Sequence, residues 1–148
     1  MSITYVYGDI LDSDAKAICH QVNCCGVMGA GLARQIASRF PEVKSQYQKH
    51  CFGKHKPNLS GTVLAVPVSD GQYILNIFGQ VYYGTDRRYT DYDALRTALS
   101  TIQEYFRGHT IAIPFKMGCG LAGGDWSTVM SIIQETLTDC RVQIYVKK

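Results

Sequence analysis

The sequence lacks the features that carry a chain into or across a membrane. The segment Met1–Tyr5 has neither a basic lead nor an apolar signal core. Nowhere is an uninterrupted apolar run long enough to cross a bilayer. We therefore expect a soluble, cytoplasmic protein that does not associate with membranes.

The sequence also lacks a segment in which charges of one sign are concentrated. The chain has 15 lysine and arginine residues against 12 aspartate and glutamate residues, and its net charge of +3 is scattered. Bulk nucleic-acid binding is therefore not expected, because it requires a basic patch or stripe. An anionic small ligand is compatible with this charge. The hydrophobic content of 46% excludes a disordered chain.

The six cysteines follow no metal-binding or disulfide pattern. The chain contains no C-x-x-C and no H-x-x-x-H pair. Cys24, Cys25 and Cys51, with His50 and His55, are an alternative set of metal ligands, but their spacing favours small buried thiols and solvated histidines. We expect reduced cysteines, no metal and no cofactor.

The order of apolar segments predicts an α/β fold. Short β-branched segments alternate with helix-like segments over residues 1–148, which indicates one domain with a mixed central sheet between helices, a three-layer α/β/α sandwich. The predicted strands are Ile3–Tyr7, Ala17–Val22, Thr62–Val68, Tyr73–Phe78, Thr110–Ile113 and Arg141–Val146. The predicted helices are Gly31–Arg39, Pro41–Cys51, Asp91–Phe106 and Trp126–Leu137.

Two segments between these elements have their own predictions. Ser69, Asp70 and Gly71 are a tight-turn signal, so the third and fourth strands are expected to form an antiparallel hairpin. Gly53 and the basic, proline-containing segment Lys54–Ser60 are expected to form a surface connection.

Two segments, Ile18–Gly31 and Ile111–Gly124, each combine an apolar strand with a glycine-rich turn that leads into a helix. Together the two turns hold seven glycines, which let backbone amides approach a phosphate, and the positive end of the following helix favours an anion. Two such loops at one sheet edge suit a diphosphate. The alternative is that the glycines only form tight strand-to-helix turns.

Two other phosphate-binding motifs are excluded. Gly118-x-Gly120-x-x-Gly123 matches the dinucleotide fingerprint, but that fold needs an acidic residue on the next strand, and Arg141–Lys148 contains none. The P-loop motif G-x-x-x-x-G-K-[ST] does not occur.

The combined pattern resembles a macrodomain. Gly8-Asp9-Ile10 follows the first strand, Asn23–Gly31 forms the first loop, and Ile113-Pro114 with Gly118–Leu121 forms the second. The resemblance covers nearly the whole chain in the right order. The two loops are most similar to the branch that contains the terminal ADP-ribose protein glycohydrolase and its bacterial and phage relatives.

This resemblance implies a site for ADP-ribose. Asp9 is expected to accept a hydrogen bond from the adenine amino group, Gly118–Gly123 to hold the diphosphate, and Asn23 with Gly29–Gly31 to border the distal ribose. The alternatives for Asp9 and Asn23 are turn-forming roles. The full set of expected ligand-binding residues is Asp9, Ile10, Asn23, Gly26, Val27, Met28, Gly29, Ala30, Gly31, Met117, Gly118, Cys119, Gly120, Leu121, Ala122 and Gly123.

The chain departs from that branch at the catalytic positions. Glycohydrolases of the branch use a lysine just after the fourth strand, where this chain has Gly79-Gln80, so no covalent lysine–sugar intermediate is expected. The branch also has an acidic residue shortly after the position of Gly120-Leu121. In this chain Ala122–Gly124 intervene, and the first acidic residue is Asp125. The segment Gly120–Trp126 resembles members described as ADP-ribose 1''-phosphate phosphatases.

We therefore expect a water molecule to attack, positioned by the ligand's diphosphate and a carboxylate. Asp125 is the proposed base, and its alternative role is to cap the following helix. His20 is a second acid or base, or else a hydrogen-bonded core residue. Asn23 completes the expected catalytic set.

The tyrosine- and arginine-rich segment Gly79–Tyr89 is expected either to close over the ligand or to be an ordinary solvated loop. Tyr145 is expected to pack in the sheet, with adenine contact as the alternative. The leading hypothesis is a monomeric ADP-ribosyl hydrolase or ADP-ribose 1''-phosphate phosphatase that acts on ADP-ribose or an ADP-ribosylated macromolecule. Its rivals are a non-catalytic reader of ADP-ribose and a nucleotide- or RNA-binding module.

Overall fold

Six strands form one mixed sheet in the computed structural model, which describes residues 2–69 and 71–148. The strand order is β1-β6-β5-β2-β4-β3, and every neighbouring pair is parallel except β3 and β4. The elements are β1 (Ser2–Tyr7), β2 (Ala17–Val22), α1 (Gly31–Arg39), α2 (Pro41–Cys51), α3 (Lys56–Leu59), β3 (Val63–Ser69), β4 (Gln72–Phe78), α4 (Tyr92–Phe106), β5 (Thr110–Pro114), α5 (Trp126–Thr136) and β6 (Arg141–Val146). A 3-10 turn covers Ile10–Asp12.

The sheet buries both of its faces because side chains alternate along each strand. On β2, Ala17 and Cys19 belong to a core cluster with α4 and α5. Ile18 and Val22 belong to a second cluster with α1 and α2. This three-layer arrangement confirms the predicted fold class.

The antiparallel β3–β4 hairpin is confirmed by the pairing of Val63 with Ile77 through Ser69 with Gln72. The predicted turn between these strands includes Asp70, which lies outside the described residues.

The boundaries of the six predicted strands and four predicted helices all agree within one residue with the structure, which is the usual scatter at element ends. The segment Lys54–Ser60 is exposed at residues 54–58, as expected of a surface connection, but the helical turn α3 within it was not predicted. Pro57 suits the first turn of a helix, and buried Leu59 anchors the turn on the α2 face of the sheet. The 3-10 turn after Asp9 was not predicted either.

None of the helices in the described part of the chain combines the length and apolar character that a membrane span requires.

Candidate functional site

A cavity of about 580 Å³ opens at the carboxyl ends of β2 and β5. These strands are neighbours in the sheet, so the loops that follow them face each other. We call residues 23–30 the first loop and residues 115–124 the second loop. The volume is within the range of small-ligand sites. The predicted residues that line the cavity are His20, Asn23, Val27, Gly29, Ala30, Gly31, Met117, Gly118, Gly120, Leu121 and Ala122.

The first loop is held by the Asn23 side chain. Its Oδ1 accepts a hydrogen bond from the Cys25 backbone N–H at 3.0 Å, and its Nδ2 donates to the Val27 carbonyl at 3.0 Å. The fully buried Tyr47 hydroxyl of α2 lies 2.8 Å from Asn23 Oδ1 and 2.6 Å from the Asn23 carbonyl oxygen. Asn23 is therefore a turn-forming residue. An amide nitrogen carries two hydrogens, so Nδ2 retains one for a ligand in the cavity.

The glycines of the second loop have two different roles. A Cβ on Gly118 would lie 2.7 Å from Gln21 Oε1, and a Cβ on Gly124 would lie 2.6 Å from the Gly118 carbonyl oxygen. These two glycines permit close packing within the protein. Gly120 lines the cavity and has open space where its Cβ would be. Gly120 is therefore the glycine whose backbone a ligand can approach closely.

A hydrogen-bond network below the second loop joins three parts of the chain. Gln21 Nε2 donates to Gln80 Oε1 at 2.8 Å and to Thr90 Oγ1 at 2.9 Å. Thr90 Oγ1 donates to the Gly118 carbonyl at 2.6 Å. A side chain on Gly79, the first position after β4, would meet the Gln21 amide group and would require the Gln21 side chain to move.

His20 lines the cavity and is almost completely buried. Its Nε2 is 2.6 Å from Asn76 Oδ1 on the neighbouring strand β4. Burial lowers the pKa of His20 to about 4, and this effect outweighs the hydrogen bond to Asn76. His20 is therefore a neutral imidazole at pH 7.

Asp125 is the N-cap of α5. Its Oδ2 accepts hydrogen bonds from the Ser127 hydroxyl at 2.6 Å and from the Thr128 backbone N–H at 3.0 Å. The hydrogen bonds from Ser127 and Thr128 lower the pKa of the Asp125 carboxyl. Asp125 does not line the cavity. The structure thus shows the capping role, while catalysis by this carboxylate stays a prediction.

Six of the sixteen predicted ligand-binding residues do not line the cavity, namely Asp9, Ile10, Gly26, Met28, Cys119 and Gly123. Asp9 caps the 3-10 turn by accepting a hydrogen bond from the Leu11 N–H at 2.9 Å. Met28 is buried in the core cluster of α1 and α2. Gly26 packs beside Cys51, and Gly123 packs beside the Arg88 backbone.

Sequence reasoning overlooked Lys116 in the second loop. Lys116 lines the cavity, and its backbone has a φ of 61°, which non-glycine residues rarely adopt. Within residues 2–69 and 71–148, Lys116 is the one lysine or arginine on the cavity wall. Lys116 precedes the glycines of the second loop, and a single lysine with a positive φ has no recognisable sequence pattern.

The segment after β4 borders the cavity opening. Tyr83, Gly84 and Thr85 line it, and the Arg88 guanidinium lies 4.4 Å from the centre of the Tyr92 ring. Tyr145 is partly buried against the core cluster of α1 and α2. Among the residues that the structure describes, no aspartate or glutamate lines the cavity.

Comparisons with known proteins identify the family of this fold. The family model described as Macro domain matches residues 19–133. The DNA ADP-ribosyl glycohydrolase of Mycobacterium tuberculosis is 32% identical over 130 residues, which cover 86% of this chain and 36% of that protein. The chain thus spans about a third of that relative's length. The ADP-ribose 1''-phosphate phosphatase of Saccharomyces cerevisiae is 27% identical over 175 residues, covering 97% of this chain and 98% of that protein.

Solved structures agree with this result. The macrodomain of Thermus aquaticus DarG superposes with a TM-score of 0.77 at 28% identity, and the match covers 97% of both chains. A Bacteroides thetaiotaomicron protein of unknown function superposes with a TM-score of 0.87 at 27% identity, covering 100% of this chain and 99% of that one. The family model spans more than half of the sequence, and the glycine loops at the carboxyl ends of β2 and β5 match the pattern that the sequence predicted. This chain belongs to the macrodomain family.

Proposed function

We propose that this chain binds ADP-ribose in the cavity between the two loops and hydrolyses an ADP-ribosyl linkage or the 1''-phosphate of ADP-ribose 1''-phosphate. The observation that carries the proposal is the cavity itself, which two glycine loops of adjacent parallel strands border at the carboxyl edge of the sheet. Relatives named as a glycohydrolase and as a phosphatase support both reactions.

The geometry supports a definite ligand placement. The diphosphate lies against the backbone of Gly120 and near the N-terminal end of α1 at Gly31, where N–H groups favour an anion. Lys116 adds a positive charge on the same wall. The free hydrogen of Asn23 Nδ2 contacts the distal ribose. Asp9 binds the adenine amino group through the carboxylate oxygen that its cap leaves free.

The chemistry uses water as the nucleophile. For the phosphatase reaction, water attacks phosphorus, the bond between phosphorus and the ribose oxygen breaks, and ADP-ribose and inorganic phosphate result. For the glycohydrolase reaction, water attacks the anomeric carbon, and the bond from that carbon to the leaving group breaks. The leaving group departs with the bonding electrons and takes up the proton that the water loses, so that ADP-ribose and the unmodified partner result. Backbone amides of the second loop stabilise negative charge. The neutral His20 lies on the cavity wall, where it can accept a hydrogen bond from the water or from a ribose hydroxyl.

A non-catalytic reader of ADP-ribose is the second candidate. The specific observation that favours it is the absence of an aspartate or glutamate from the cavity wall, among the residues that the structure describes. The lysine on that wall, Lys116, lies in the second loop and not directly after β4.

Two measurements separate the candidates. Calorimetry gives the affinity for ADP-ribose, and product analysis gives release of ADP-ribose or phosphate from ester-linked, nucleobase-linked and 1''-phosphorylated substrates. Binding with release from one of them supports the hydrolase, whereas binding without release from any supports the reader. Failure to bind ADP-ribose at millimolar concentration overturns both. We further propose that the protein acts as a cytoplasmic monomer on ADP-ribose or an ADP-ribosylated macromolecule.

A further inference from the structure

Below the cavity, three neighbouring strands connect their polar groups through a buried relay. Asn76 on β4 pairs with His20 on β2 and with Leu64 on β3 in the sheet register. Asn76 Nδ2 donates to the Leu64 carbonyl at 2.9 Å, and Asn76 Oδ1 lies 2.6 Å from His20 Nε2. Asn76 is completely buried, and His20 is 2% exposed.

The relay determines which nitrogen of His20 carries its hydrogen. A backbone carbonyl only accepts hydrogen bonds, so the Asn76 amide must direct Nδ2 toward Leu64 and Oδ1 toward His20. The oxygen in turn needs a donor, so His20 Nε2 is protonated. In a neutral imidazole the other nitrogen, Nδ1, is then an acceptor.

The other ring nitrogen of His20, Nδ1, makes no hydrogen bond to the residues that the structure describes. It is buried, and none of the protein groups in the described ranges 2–69 and 71–148 pairs with it. Buried polar atoms are almost always hydrogen-bonded, and an unpaired one calls for an explanation. His20 is one of the residues that line the cavity, so a group inside the cavity is the partner that we consider for Nδ1.

We propose that Asn76 is a positioning residue that holds His20 in its Nε2–H form, so that Nδ1 accepts a hydrogen bond from an O–H group in the cavity. The donor is either a hydroxyl of the bound ribose or the attacking water. The identity of the ligand rests on the proposed function, whereas the hydrogen position on His20 does not. Burial keeps the ring neutral by lowering its pKa to about 4.

Nitrogen-15 spectra of the full chain with labelled histidine test the hydrogen position directly. At pH 7 we expect His20 to show a protonated Nε2 and an unprotonated Nδ1. In Asn76→Leu we expect a mixture of both forms at His20 only, with His50, His55 and His109 unchanged. A protonated Nδ1 in the wild type overturns the proposal, and so does an unchanged His20 spectrum in Asn76→Leu. If Asn76→Leu does not fold, Asn76→Ala replaces it, and the wild-type spectrum alone still decides.

Addition of ADP-ribose identifies the partner of Nδ1. A shift of the Nδ1 resonance on titration assigns the donor to a ribose hydroxyl. An Nδ1 resonance that already shows hydrogen bonding in the free protein and keeps its position assigns the donor to water. An Nδ1 without hydrogen bonding in both states overturns the proposal.

The strength of this contact is measured by calorimetry. If the ribose is the donor, we expect the folded Asn76 variant to bind ADP-ribose about tenfold more weakly, the effect of one hydrogen bond. Unchanged affinity contradicts the ribose assignment. If the wild type does not bind ADP-ribose at all, the proposed function fails, while the Nε2–H form of His20 in the free protein remains established by its spectrum.

Discussion

Lys116 has a strained backbone and lies on the wall of the cavity. Its φ of 61° is costly for a side-chain-bearing residue, by about 1 kcal/mol, and glycine relieves this strain. We expect Lys116→Gly to unfold at the same temperature as the wild type or a higher one. We expect its affinity for ADP-ribose to fall by a factor of about 3 to 5, because an exposed positive charge near the diphosphate is lost.

Thermal unfolding and calorimetry measure the two effects separately. Lys116→Arg keeps the charge and the strain, and is the control that should bind as the wild type does. Unchanged affinity in Lys116→Gly would exclude a contact between this side chain and the ligand.

His20 makes stability depend on pH. Its pKa of about 4 in the folded chain is below the ordinary value of 6.5. Between these two pH values the imidazole is therefore protonated in the unfolded chain but not in the folded chain. Stability contributed by the neutral ring is present above pH 6.5 and is lost as the pH falls toward 4. We expect a loss of up to about 3 kcal/mol over this range.

Urea unfolding at several pH values measures this loss. His20→Gln should flatten the dependence between pH 6.5 and 4, whereas the exposed His55→Gln should keep it. Equal slopes in wild type and His20→Gln would show that His20 is not the group responsible.

Among the elements of the site, the second loop contains glycines with two different roles. Gly118 and Gly124 pack against protein atoms, whereas Gly120 borders the cavity where the ligand is proposed to bind. A Cβ on Gly124 meets the Gly118 carbonyl oxygen, and backbone cannot yield cheaply. We therefore expect Gly124→Ala to lower the free energy of unfolding by about 1 to 3 kcal/mol. Gly120→Ala has open space and a permitted backbone, so it should fold as stably as the wild type but bind ADP-ribose more weakly.

Denaturant unfolding and calorimetry on the matched pair check both parts. A stable Gly124→Ala, or a Gly120→Ala with wild-type affinity, would contradict the division of roles within the loop.

The N-terminus of α5 depends on Asp125. Asparagine caps helices as well as aspartate does, whereas alanine does not. We expect Asp125→Ala to lower the melting temperature and Asp125→Asn to keep it, because asparagine can still accept the hydrogen bond from the Thr128 N–H. Turnover that persists in Asp125→Asn would exclude this carboxylate as the base. A folded Asp125→Asn that binds ADP-ribose but no longer releases product would instead establish this carboxylate as the base.

The elements themselves could be predicted because their signals are local. The apolar periods of the strands and of α1, α2, α4 and α5 lie within windows of a few residues. The one-turn α3 is polar and too short to show a period. The hydrogen-bond networks of the site could not be predicted in this way. Gln21 and Gln80, for example, are 59 residues apart in the sequence, so only the folded structure shows that they form a hydrogen bond.

For the whole molecule, the sheet order explains why the site is where it is. Gly26 of the first loop and Gly118 of the second loop are 92 positions apart in the sequence. Because β2 and β5 are adjacent in the sheet, both loops nevertheless face one cavity. The sequence revealed both loops, because glycine and strand patterns are local. It did not reveal which glycines pack inside the protein, because this depends on Gln21 and Thr90 from other strands and loops.

The central claim is that the two loops together hold the diphosphate of ADP-ribose. Titration of the labelled full chain with ADP-ribose, followed through its backbone amide resonances, tests this claim most directly. The account predicts saturable binding of one ligand, with the largest changes at residues 23–31 and 117–124 and further changes at Asp9 and Ile10. Amide resonances in both loops that stay unmoved at millimolar ADP-ribose, or changes confined to the separate cleft beside Tyr73 and Phe106, would contradict it.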